Sequence, residues 1–205
     1  MSSPWPPAVF RYYGASAWEI ETLYATLSRS FDVEDAEVPA DDPQFVTMIE
    51  IGFPAPFGEP FFQEFTMESW FKVKGVLKDM KKRRGRKGVK TYIRFAGFDR
   101  GGSGGSTTNN SNNGGKPPVV FPLLSKGDRQ YEMGVEKLEY LIDIVPLQLK
   151  TLPKDAEEVW YSYEEATFKW SPGTAMMANG VNYFYKNNEW AAPSSSAAAT
   201  TTKEP

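Results

Sequence analysis

Ten lysines and arginines stand close together in this chain: Lys72, Lys74, Lys78, Lys81, Lys82, Arg83, Arg84, Arg86, Lys87 and Lys90, with Asp79 as the one acid among them. Cations at this density attract phosphates, and each phosphate contact releases a counterion, so binding through them weakens steeply with salt. Nothing adjacent in sequence neutralises the block, so it is expected to face water or an anion. An opposite patch precedes it, made of Asp32, Glu34, Asp35, Glu37, Asp41 and Asp42. Complementary patches on different copies invite head-to-tail self-association. The basic segment carries +9 and the whole chain −3, so the remainder carries −12.

Other chemistry is thin. The 205 residues include no histidine and no cysteine. That removes the imidazole needed by most general bases, triad relays and zinc sites, and with it thiolate chemistry. Carboxylates working with Mg²⁺ remain, and the adjacent pairs Asp41–Asp42, Glu157–Glu158 and Glu164–Glu165 are the candidates. Adjacent residues on a helix point apart, so such pairs make poor dyads. The chain therefore reads as non-enzymatic with no cofactor, and a metal-dependent carboxylate hydrolase or nuclease is an alternative. The glycines of 101–105 lack the strand–glycine–helix context of a phosphate loop. Trp70, Phe71, Tyr92, Phe95 and Phe98 flank the cations. Core packing accounts for them best; base stacking would make the chain a single-stranded nucleic-acid-binding or capsid-type protein.

The elements that must position the cations follow from local signals. Residues 1–14, rich in proline and aromatics, read as an extended arm. Ser16 with Glu19 makes a capping box for a helix running to Phe31, and the acidic stretch Asp32–Asp42 reads as a loop. Phe45–Ile51 is a strand, broken over Phe53–Pro60. Thr66 caps a helix whose Met67, Trp70, Phe71, Leu77 and Met80 share one face, and Gly85 and Gly88 end it. Thr91–Phe98 is a strand, and 99–118 is a low-complexity flexible loop. Leu138, Tyr140, Ile142 and Ile144 alternate with polar residues as a strand, whereas Glu157–Trp170 suits a helix. Val181–Trp190 is a hairpin turning at Asn187–Asn188, and 193–205 is a disordered tail. The expectation is one α+β domain over 15–192, with four or five mostly antiparallel strands and about three helices.

That order of elements resembles the matrix proteins of rhabdoviruses, in particular those of plant-infecting members. The matching pieces are Trp5-Pro6-Pro7-Ala8, Phe45–Ile51, Met67–Lys82, Thr91–Phe98, the 99–118 loop, Glu136–Val145 and Val181–Trp190. The resemblance implies a structural virion protein that self-associates, condenses viral nucleoprotein or RNA, and contacts an anionic membrane. The basic segment would make the contact and the acidic stretch the self-contact. No secretory signal or membrane span is expected, which suits the virion and host cytoplasm, and Lys81–Arg84 would suit a nuclear phase.

Overall fold

The computed structural model describes residues 5–97 and 117–193. The expectations for 99–116 and for 194–205 fall outside these residues. Chain order is β1 (Ala8–Tyr13), α1 (Ala17–Leu27), β2 (Val33–Glu37), β3 (Thr47–Pro56), α2 (Glu59–Glu64), α3 (Met67–Arg84) and β4 (Val89–Ala96). It continues with β5 (Val119–Leu123), α4 (Asp128–Glu136), α5 (Ile144–Gln148), β6 (Ala156–Glu164), β7 (Lys169–Met177), β8 (Asn182–Lys186) and β9 (Glu189–Ala191). The strands form one sheet in the order β2-β1-β3-β4-β5-β6-β7-β8-β9.

This corrects the expected fold class. Among the described residues the sheet has nine strands, not four or five, with five helices, and it is mixed. β1 pairs β2, β3 pairs β4 and β5 pairs β6 in parallel, and the remaining neighbours are antiparallel. Each parallel pair is bridged by helix, as parallel neighbours require.

The local reasons are specific. Alternation puts Ala8 and Phe10 of β1 in the core with Arg11 exposed, so Ala8–Tyr13 of the supposed arm form an interior strand. β2 contains few strand formers; pairing with β1 from Ala8↔Val33 to Tyr12↔Glu37 makes the supposed loop a strand. In β6, Val159 and Tyr161 are buried while Ser162 and Glu164 are exposed, so the stretch read as helical is a strand. Leu138, Leu141, Val145 and Leu149 are buried at helical spacing, and the stretch read as the clearest strand is instead a 3₁₀ turn leading into α5. β3 also runs on through Phe53 to Pro56, past the expected break.

Ser16 accepts from the Glu19 amide and the Glu19 carboxylate accepts from the Ser16 amide, which starts α1. Thr66 caps α3, and Asn187 and Asn188 turn the β8–β9 hairpin with φ of 52° and 66°. The core lies between the helices and one sheet face. There Phe53, Phe61, Phe65, Trp70 and Phe95 form one ring cluster, which Phe57 and Phe121 extend towards Tyr161 and Trp170. Each such side chain contributes about 1.5–3 kcal/mol by leaving water. On α3, Trp70, Leu77 and Met80 are buried, but Met67 and Phe71 of the expected apolar face are exposed.

Gly14 links β1 to α1 at φ +63°, and a Cβ there would stand 2.0 Å from the carbonyl oxygen of Val46. Gly85, which ends α3 at φ +51°, faces open space. Gly14→Ala should therefore cost roughly 3 kcal/mol or more, against about 1–2 kcal/mol for Gly85→Ala, read by chemical denaturation. Equal costs would show that the Gly14 turn is not packed as described.

Candidate functional site: a basic helix and the cleft at its end

The cations of α3 do not form the outward block expected of them. Lys74, Lys78 and Lys82 recur every four residues, and so do Asp128, Glu132 and Glu136 on α4. The two series interlock antiparallel. Lys74 Nζ donates to Glu136 at 2.9 Å and to Glu139 at 2.7 Å, Lys78 pairs with Glu136, and Lys82 lies 4.0 Å from Glu132. Lys81 is buried and donates to the carbonyls of Gly85 and Lys126, with Asp128 at 3.5 Å. Trp70 adds an indole donor to Glu139 at 3.1 Å. Burial would raise the Glu136 carboxyl, but the hydrogen bonds from Lys78 and Lys74 prevail and lower it.

The other side of α3 is held by one carboxylate. Glu19 of α1 has no exposed surface, and it accepts from Arg83 at 2.7 Å and from Arg84 at 2.7 and 2.6 Å. Arg84 also donates to Thr47 and to the Gly14 carbonyl, so it ties the β1–α1 turn and β3 to the end of α3. Burial again pushes the carboxyl up. The hydrogen bonds from Arg84, Ser16 and Arg83 outweigh it and bring Glu19 down to about 2.

Lys90 is the seventh paired cation: nearly buried on β4, it donates to Asp41 at 2.5 Å. Burial opposes its charge, yet Asp41 leaves it raised, and the Lys90 hydrogen bond lowers Asp41. Seven of the ten cations thus meet carboxylates of their own molecule. Lys72, Arg86 and Lys87 stand exposed without such a partner among the described residues, and Lys82 and Arg83 keep more than half or about half of their surface, at 58% and 50%. Arg83, Arg84 and Lys87 line an open cleft of about 670 Å³, together with Gly14, Ser16, Trp18, Glu19, Val46 and Thr47. Trp18 is the residue that the sequence reading passed over. Its indole is half-exposed and lies 5.3 Å from the Arg83 guanidinium.

The acidic patch is divided. Asp41 clamps Lys90, Asp42 accepts from the Gln44 amide, and Asp35 accepts weakly from Tyr12 at 3.5 Å. Asp32, Glu34, Asp35 and Glu37 are exposed on and beside the edge strand β2. Glu157 and Glu158 lie on a strand, not a helix, at an irregularity of the β6–β7 register, and Glu157 is exposed while Glu158 is buried. Glu158 instead closes a row Arg11–Glu50–Arg94–Glu158 across the sheet face away from the core, with Tyr92 and Trp160 in edge contact beside it. Among the described residues no three Asp or Glu side chains converge as a metal site. Of the flanking aromatics, Trp70 and Phe95 are core, Phe71 is exposed, and Phe98 lies outside the described residues.

No helix among the described residues is long and apolar enough to cross a membrane. No family model, curated protein or solved structure matches the chain. The resemblance to matrix proteins also loses one of its pieces, because Glu136–Val145 holds helical turns where a strand was expected.

Because Glu19 titrates below its ordinary value of 4.5, its contribution to stability is present above pH 4.5 and is lost as the pH falls from there towards about 2. Glu19→Gln should lower stability at pH 7 by about 3 kcal/mol, since it orphans two guanidinium groups, and should flatten the acid limb of the stability curve. Urea titrations at several pH values read both effects. A variant with the wild-type acid limb would remove Glu19 from this role.

Proposed function

We propose that this chain is a non-enzymatic structural protein that docks on a polyanionic partner, nucleoprotein or RNA, through the end of α3. This is the contact role that a matrix-like protein requires, reduced from a whole basic segment to one corner. One observation carries it: Lys82, Arg83, Arg86 and Lys87, which hold charge towards solvent, fall within six residues at the end of α3, and Arg83 and Lys87 line the cleft. Lys72 lies ten residues back along the helix, about 15 Å away, which exceeds the roughly 8 Å screening length at physiological salt. It does not belong to the same patch.

The magnitude separates this reading from that of a wholly outward segment. Four phosphate contacts give a slope of log affinity against log salt of about −3, whereas ten would give about −7 to −9. The exposed carboxylates along β2 offer the complementary surface for head-to-tail association of copies, and light scattering at two salt concentrations tests that contact by its loss of mass at high salt.

Heparin and RNA affinity measured across salt concentrations tests the main claim. The pair Arg86→Glu and Lys87→Glu should weaken binding at least tenfold and halve the slope while leaving thermal stability unchanged. Lys74→Glu should instead destabilise the fold by roughly 3–5 kcal/mol, because it buries a like charge against Glu136 and Glu139. Flotation with vesicles containing anionic lipid, run on the same variants, shows whether a bilayer competes for these cations. Undiminished RNA and heparin binding by the Arg86/Lys87 variant would defeat the proposal.

A further inference from the structure

Resting on the reading of the cleft as a polyanion site, we infer that the polymer it takes is single-stranded nucleic acid. One base lies against the indole of Trp18, and flanking phosphates meet Arg83, Arg86 and Lys87.

Trp18 is 53% exposed, whereas Trp5 and Trp160 are partly buried and Trp70, Trp170 and Trp190 are buried. A tryptophan left this open contributes little to the core and leaves a large aromatic face available at the cleft. One contact ties it to the end of α3. The Arg83 guanidinium stacks on one side at 5.3 Å, Arg83 is held by Glu19 at 2.7 Å, and Glu19 is held in turn by the Ser16 amide at 2.7 Å. A platform already ordered in the free protein loses little freedom on binding, so stacking energy appears as affinity.

The surroundings select the ligand. Heparin and lipid headgroups satisfy cations but present no flat aromatic ring to stack on the indole. Duplex nucleic acid has rings, but they are enclosed in its own stack. A single strand presents both a phosphate and an unstacked base within one nucleotide, and aromatic platforms beside cationic tracks hold such strands without reading their sequence. The cleft, about 670 Å³ and open to solvent, accommodates one nucleoside, and Val46, 44% exposed on its wall, supplies an apolar edge. Glu19 does not repel the phosphates, since two guanidinium groups already cover it.

The test uses the full chain with a 12-nucleotide oligouridylate, a 12-base-pair RNA duplex and heparin as probes, followed by fluorescence anisotropy. The single strand should bind at least tenfold tighter than the duplex. Trp18→Ala should weaken single-strand binding roughly 5- to 100-fold while leaving heparin affinity and the salt slope unchanged. Trp18→Phe, which keeps a ring, should recover most of the loss. The exposed position lets these variants fold, and thermal melts check it. Equal affinity of Trp18→Ala and wild type for the single strand overturns the inference, as does duplex bound as tightly as single strand. Binding of all three probes that ignores Arg86→Glu with Lys87→Glu overturns the cleft reading itself.

Discussion

A basic helix held between two acidic neighbours is the constraint on which the rest of this structure depends. α3 crosses the middle of the helical layer, and its charges are met on one side by Glu132, Glu136 and Glu139 and on the other by Glu19. Lys74, Lys81 and Glu19 are all but inaccessible to water. Charges so placed are costly alone and tolerable together, so the pairs specify an arrangement more than they add stability. A slip of α3 by one residue would strand at least one of them. The four-residue period shared by the two helices lets the two series meet along their length, Lys74 and Lys78 at Glu136 and Lys82 at Glu132.

From that interlock follows what is left for a partner. Ten cations read along the chain suggest a continuous basic surface, but the fold uses most of them as internal fasteners. The positive charge that remains outward is concentrated where α3 ends, because Lys82 and Arg83 keep about half of their surface there and Arg86 and Lys87 have no carboxylate partner among the described residues. Arg84 performs both tasks, holding Glu19, Thr47 and the Gly14 carbonyl while lining the cleft floor. The acidic residues divide similarly. Asp41 fastens Lys90, while the carboxylates of β2 lie on an open sheet edge, where charge discourages unwanted strand addition.

Elements with local chemistry at their ends were legible in the sequence. The Ser16–Glu19 box, the Thr66 cap, the glycine at 85 and the Asn187–Asn188 turn each satisfy a backbone requirement within a few residues, and each appears where it was read. β2 was not legible, because Val-Glu-Asp-Ala-Glu becomes a strand only through its partner β1. Residues 138–149 misled for the opposite reason. Leu138, Tyr140, Ile142 and Ile144 alternate, but Tyr140 and Ile144 are exposed, and the buried positions follow the helical period instead. The pairing of the cations was written in the sequence at a distance. Asp128, Glu132 and Glu136 repeat the spacing of Lys74, Lys78 and Lys82, yet only the fold brings the two series together. Trp18 offered no signal beyond being a tryptophan on a helix's first turn.

Amine acylation of the native chain, followed by mass spectrometry of each lysine, tests the internal use of these charges most directly. Lys74, Lys81 and Lys90 should react far more slowly than Lys72, Lys82 and Lys87, and should reach the same rate once the chain is unfolded. Native rates for Lys74 and Lys81 as fast as those for Lys72 and Lys87 would contradict the account, and the basic segment would again be an open surface.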